Sequence, residues 1–470
     1  MKLCPTLALT VLFLLAAPVQ ANDEGSPTLE GSWQGVIAIA GQELPVVFEI
    51  SDNGRGDWKG HMLSPSQTDQ QIPLTSVSFH DREVTILVEY VGGSYRGKLA
   101  ASGRSIRGDW KQGALEVSLD LDHHEKPFAY DRPQTPKAPF PYPVEKVKFP
   151  NSLAKISLAG TLSLPKDRIS PAPAVVLISG SGPQDRDETI AGHKPFAVIA
   201  DYLARRGVAV LRYDDRGVGE SEGTFEFGTT LDFATDAWAA VEFLKTRPEI
   251  DPEKIGLIGH SEGGLIAPIV STKREGIAFL VLLAAPCLPG DQTLLSQSKA
   301  IGEKSGLSSE MLALNQQFSR AVFDLLTQPD PDLEKVRDLG ARFEKEAKEL
   351  SADDAEALEN LGPILQQQLS MLESPWFRNF LNLDPAEHFR KVTCPVLALN
   401  GELDLQVLAD LHLPAIEAAV PKGLVTTRRL SGLNHLFQKA ETGLPAEYAT
   451  IEETISPGVL TIIGDWILEF

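Results

Sequence analysis

The apolar run Ile255-Gly256-Leu257-Ile258 leads directly into Gly259-His260-Ser261-Glu262-Gly263, and a helix-forming stretch begins near Gly263. A buried strand that turns within one residue into a helix leaves few folds open. The turn is so tight that the positions two residues either side of the serine must be small, which accounts for Gly259 and Gly263. It lifts Ser261 above the sheet beside a helix N-terminus, whose unpaired N–H groups favour developing negative charge.

The surrounding pattern agrees with such a sheet. Ala174–Ile178, Val208–Leu211, Ile255–Ile258, Phe279–Leu283 and Val396–Leu399 are continuous apolar runs, and Leu424–Thr427 has the character of a last strand. Runs buried on both faces belong to parallel sheets covered by helices. Helical segments alternate with them at Pro195–Arg206, Thr230–Arg247 and Gly263–Thr272. The fold class expected is α/β, a doubly wound, mostly parallel sheet. Between Pro289 and Phe389 no parallel-strand run appears. Leu333, Val336, Phe343, Ala347 and Leu350 keep helical spacing, with further helices expected over Glu310–Leu326 and Asp354–Leu372. A helical insertion of this length, 290–389, exceeds an ordinary connection and reads as a cap.

Residues 22–126 read as a small all-β domain, a barrel or sandwich. Val46–Ile50, Val84–Val88 and Leu115–Leu119 are β-rich runs, with turns at Asp52-Asn53-Gly54 and Val91–Ser94. Trp33, Trp58 and Trp110 recur in similar Gly-flanked settings and are expected to plug the core. His123-His124 reads as a solvated pair, because adjacent strand side chains face opposite ways. The proline-dense stretch 127–143 is expected to be a stiff linker, and 144–470 the catalytic domain.

A serine hydroxyl needs a base to become a nucleophile, and the base needs an orienting acid. On this kind of sheet the chain order is serine, acid, histidine. Val396–Leu399 runs into Asn400-Gly401-Glu402-Leu403-Asp404, where Asp404 is the expected acid and Glu402 the fallback. His435 follows the last expected strand. His388 precedes the acid and His412 lies in the helix after it, so order selects His435. A tetrahedral oxyanion needs two N–H donors. One is expected from Glu262, the other from the loop Ser179–Pro183, at Ser181 or alternatively Gly182. Asp214–Ser221 lacks the spacing and the Lys-Ser/Thr of a phosphate cradle and reads as a rigid, ion-paired turn, as do Asp185, Arg186 and Asp187. No Cys/His cluster has metal-ligand spacing, and no cofactor is expected.

With those residues in hand, 144–470 resembles the α/β-hydrolase superfamily. More narrowly, it looks like the bacterial serine aminopeptidase/acyl-peptide-hydrolase-like esterases, a group of which carries an N-terminal β domain. The matching stretches are Ser179–Glu188, Arg212–Gly223, Gly259–Gly264, Ser374–Phe380, Gly401–Val407 and Asn434-His435. The resemblance implies hydrolysis of short- to medium-chain carboxylic esters through an acyl-enzyme, with Ser261, Asp404 and His435 as triad. It places Trp376 and Phe377, at the cap's end, in the substrate pocket. Relatives often have His-Gly where this chain has Ser179-Gly180, which leaves the support of the oxyanion loop to be explained. The alternatives are a peptidase with the same triad, a thioesterase or lactonase, and a binding protein on a disabled hydrolase scaffold; the β domain could serve a cell-envelope partner.

Lys2, the apolar run Leu7–Ala17 and Pro18–Ala21 form a secretory signal with a cut after Ala21, so a secreted or periplasmic protein is expected. The formal net charge of -21 argues against nucleic acid and anionic lipid as partners. Beyond the signal only Cys287 and Cys394 remain. They lie at opposite ends of the expected sheet, so two buried reduced thiols are expected rather than a disulfide.

Overall fold

A computed structural model describes residues 28–39, 42–52, 58–65, 68–113, 115–126, 128, 131–166, 171–350, 372 and 374–470. The signal segment, Asn53-Gly54 and the cap helix expected from Asp354 lie outside the described residues, apart from Leu372.

Ten strands form one antiparallel sheet: β1 Gly31–Ile39, β2 Gln42–Asp52, β3 Trp58–Ser64, β4 Thr68–Pro73, β5 Ser76–His80, β6 Glu83–Val88, β7 Gly93–Leu99, β8 Ser105–Gln112, β9 Leu115–Ser118 and β10 Leu121–His124. Their order is β4-β3-β2-β1-β10-β8-β7-β6-β5, with β9 paired to β8, so the sheet curls as a half-barrel. Alternation does the work. In β6 Val84, Ile86 and Val88 point inward, while Glu83 is exposed. Trp33 and Trp110 are buried as expected, with Phe48 between Tyr95 and Trp110, whereas Trp58 is only partly buried. His123 is not simply solvated. Its Nε2 meets the Glu30 carbonyl at 3.1 Å and its ring packs edge-on to Trp33, leaving His124 exposed.

The second sheet holds β11 Val144–Asn151, β12 Ile156–Ser163, β13 Ala172–Ile178, β14 Ala209–Tyr213, β15 Ile250–His260, β16 Leu280–Leu283, β17 Val396–Gly401 and β18 Val425–Leu430, in the order β11-β12-β14-β13-β15-β16-β17-β18. β11 and β12 run antiparallel and β13 to β18 parallel. Helices cover both faces. Residues 230–245, 262–273 and 409–419 pack on one; 195–205 and 457–467 pack on the other. This is the α/β-hydrolase arrangement.

The insertion after β16 contains helices Gly290–Lys304, Ser309–Leu326, Leu333–Leu350 and Pro375–Asn382. It has its own core, with Leu295, Val322, Phe323, Leu326, Val336, Phe377 and Leu381 buried together. Cys287 and Cys394 are free and buried, and burial pushes both thiols up, to about 12 and about 11. The proline-dense segment is more than a spacer. The Arg132 guanidinium donates to the carbonyls of Ala191, Ala449 and Ile451, and the Gln134 side chain bonds the backbone of Thr454 and Ile455. No helix of the described residues is long and apolar enough to cross a membrane.

Candidate active site

β15 delivers Ser261 into the turn before helix Glu262–Lys273 with φ 52° and ψ -118°, a region that side-chain-bearing residues rarely occupy. Strain at such a position persists only where packing over-determines it. Here the packing is explicit. A Cβ on Gly259 would lie 2.0 Å from the Gly263 carbonyl oxygen, and one on Gly263 would lie 2.1 Å from that of Ile178. The Ser261 N–H is tied to the Leu283 carbonyl at 2.8 Å.

Ser261, Ser181 and His435 line one cavity of about 440 Å³. Behind His435, its Nδ1 lies 2.8 Å from Asp404 Oδ2, and both residues are buried. Asp404 Oδ1 accepts the N–H groups of Gln406 (2.8 Å) and Val407 (2.9 Å). That carboxylate is therefore fixed, and facing it the neutral imidazole carries its proton on Nδ1, which leaves Nε2 without one. The rivals lie elsewhere. Glu402 accepts from Ser431 and Gly432 and pairs with Arg429. His412 is buried, accepts the Cys287 N–H on Nδ1, and is pushed down by burial to about 4. His388 sits in the short helix Pro385–Phe389, away from the residues lining the cavity.

The loop after β13 passes close over the serine. A Cβ on Gly180 would stand 3.2 Å from that of Ser261. The N–H of Glu262 is the first in its helix and has no intrahelical acceptor. Ser181 lines the cavity and Gly182, at φ 92°, does not, which favours Ser181 as the second donor. Ser179, where relatives often have histidine, donates from Oγ to Asp215 Oδ1 at 2.9 Å, and Asp215 Oδ2 accepts the Gln184 N–H at 3.0 Å. The loop's support is thus supplied by an aspartate on the neighbouring turn. The ion pairs expected around that turn are present: Arg186 with Asp214 and Glu220, Arg212 with Asp187, and Arg216 with Asp236.

Three features escaped sequence reasoning. Glu188, buried in that loop, takes the Gly180 N–H at 2.7 Å and faces His260 Nδ1 at 2.9 Å. His260 Nε2 in turn meets the backbone carbonyl of His435 at 3.1 Å. One carboxylate therefore links the loop after β13 to His260, and through it to the backbone of His435. Burial opposes charge on His260, but the charge and hydrogen bond of Glu188 outweigh it and raise its pKa. A raised folded value means that this stabilisation is complete below the unfolded value of about 6.5 and is lost as pH rises through the folded one. The melting temperature is expected to fall across that window, and Glu188→Gln to flatten the fall. A slope unchanged in the variant would refute the assignment.

Second, the buried Glu262 carboxylate, raised by burial, accepts Thr230 Oγ1 at 2.7 Å and Trp376 Nε1 at 2.8 and 3.0 Å. Trp376 therefore latches the cap to the turn after the serine, and Phe377 is buried in the cap core. Neither lines the cavity over Ser261, where the sequence placed both. Trp376→Phe is expected to cost about 1–3 kcal/mol in urea unfolding, because it leaves a buried carboxylate short of a donor. Third, Gln406 Nε2 donates to Tyr448 OH at 2.8 Å on the cavity wall.

Residues 155–413 match the X-Pro dipeptidyl-peptidase (S15) family, a stretch that includes Ser261 and Asp404 and stops before His435. The chain is 27% identical over 317 residues to the esterase EstD of Thermotoga maritima, covering 66% of each chain. It is 26% identical over 188 residues to the putative hydrolase YtaP of Bacillus subtilis, covering 37% of this chain and 62% of that one. The chain thus spans less than two thirds of the length of these relatives. Among solved structures, protein PA2218 of Pseudomonas aeruginosa superposes with a TM-score of 0.46 at 18% identity, over 73% of this chain and 98% of that one.

Proposed function

Because the chain belongs to the X-Pro dipeptidyl-peptidase (S15) family of α/β hydrolases and is esterase-like, we propose that it is an exported serine esterase acting on carboxylic esters. The observation that carries this is Ser261 on its strained turn in the same cavity as a histidine fixed by a buried aspartate. Ser261 Oγ attacks the ester carbonyl as His435 Nε2 takes its proton. Asp404 holds the imidazolium that forms. The N–H groups of Glu262 and Ser181 receive the oxyanion. The proton passes from His435 to the leaving alcohol. Water, deprotonated by the same histidine, then frees the acid and restores Ser261.

The family's name favours a peptidase as second reading, and one observation counts against it. Cleavage next to a free N-terminus requires a carboxylate for the substrate's ammonium group. Among the described residues lining the cavity the one carboxylate is Glu188, already engaged by His260 and the Gly180 N–H. Neutral esters need no such counter-charge. Purified protein assayed on p-nitrophenyl acyl esters and on Xaa-Pro p-nitroanilides separates the readings. Turnover of the anilides with none of the esters would reject the esterase. Export rests on the segment 1–21; recovery of the chain in the cytoplasmic fraction with its N-terminus intact would reject it.

A further inference from the structure

We propose that the N-terminal β domain is part of the substrate site: the β3–β4 tip at Ser64-Pro65 walls the cavity over Ser261 and limits the ester to a compact acyl group. This rests on the esterase reading and adds the substrate class to it.

The tip of a β-hairpin is ordinarily the most exposed part of a small domain. Here Ser64 is 3% exposed and Pro65 is buried. Among the described residues, Pro65 is the one of the β domain that lines the cavity with Ser261 and His435. Its ring fixes its own backbone and carries no N–H, so the side chain presents a stiff apolar wall.

The domain is held where this wall can act. At the domain's end the Phe128 N–H donates to Glu49 Oε1 on β2, and β2 pairs with β3. Four residues on, Arg132 binds the carbonyls of Ala191 and Ala449, which line the same cavity. His193 secures the same rim, with Nε2 on the Tyr448 carbonyl and Nδ1 on Thr454 Oγ1. One short segment therefore joins the hairpin's neighbour to the far wall of the pocket. The cavity holds about 440 Å³ and is partly open to solvent, so a stiff wall at Pro65 is what bounds the acyl group it takes.

The test uses the full chain and compares kcat/KM for p-nitrophenyl acetate and p-nitrophenyl hexanoate. Pro65→Trp is expected to lower the hexanoate-to-acetate ratio about tenfold, the low end of what a single methylene discriminates in an apolar pocket. Pro65→Ala is expected to raise the ratio severalfold. Tyr90→Ser, at an exposed position of the same domain, should leave it unchanged. Melting temperatures establish that each variant is folded. Unchanged ratios in both folded Pro65 variants, in a protein whose Ser261 is labelled by a fluorophosphonate, would overturn this inference and leave the esterase standing. Wild-type protein that neither turns over ester nor takes the label would overturn both.

Discussion

Replacing Ser261 by alanine is expected to lower kcat on ester substrates by about five to six orders of magnitude, to the residual rate that an oxyanion site and binding alone sustain. The fold should not suffer. Ser261 makes no side-chain cap hydrogen bond to its helix, and alanine keeps the same Cβ at φ 52°. Glycine at 261 should be equally inactive yet more stable, because it relieves a positive φ that costs a side-chain-bearing residue about 1–3 kcal/mol. The order of melting temperatures, glycine above alanine and alanine at or near wild type, tests the strain separately from the chemistry. Purified alanine variant retaining more than about 1% of wild-type kcat would remove Ser261 as nucleophile.

What the sequence could reveal follows from where the constraint lay. The turn at Gly259–Gly263 was legible because its rule is steric and local. The central strands were legible because burial on both faces leaves unbroken apolar runs; β13, β16 and β17 fall within about two residues of their expected limits. β11 and β12 were not read as strands. Val144-Glu145-Lys146-Val147-Lys148 is a half-exposed edge whose charged positions hide its strand character. Glu188 was invisible for another reason. It stands in a loop with Asp185, Arg186 and Asp187, and nothing local distinguishes a buried carboxylate there from solvated ones; only its tertiary contacts with Gly180 and His260 do. Trp376 has a contact that is equally non-local. Nothing in the local sequence shows that its indole N–H is claimed by the Glu262 carboxylate.

The same contacts explain how the loop after β13 is held with a serine at 179. The loop is held at Ser179 and Gln184 by Asp215 and at Gly180 by Glu188, so its shape depends on two carboxylates from outside the Ser179–Pro183 turn. Both belong to networks that continue beyond it. Glu188 reaches His260 and hence the backbone of His435, and Asp215 sits beside Asp214 in the ion-paired turn. The loop after β13 is therefore held from two sides, and through Glu188 and His260 it is tied to the backbone of His435.

Asp404→Asn is expected to lower kcat about ten-thousandfold with little change in fold. The reason lies in the two sides of the carboxylate. Oδ1 accepts the N–H groups of Gln406 and Val407, so an asparagine must turn its oxygen to them and its NH2 group to His435. Facing a donor, His435 Nδ1 becomes an acceptor, and the imidazole proton moves to Nε2, the nitrogen that must take the proton of Ser261. The base is then in the wrong tautomer while every heavy atom keeps its place. Fluorophosphonate labelling of Ser261 should slow with kcat, since both need the same deprotonation. Glu402→Gln, whose carboxylate serves Ser431, Gly432 and Arg429, should keep near wild-type activity. An asparagine variant within about tenfold of wild type, or a glutamine variant as damaged as the asparagine one, would move the orienting role away from Asp404.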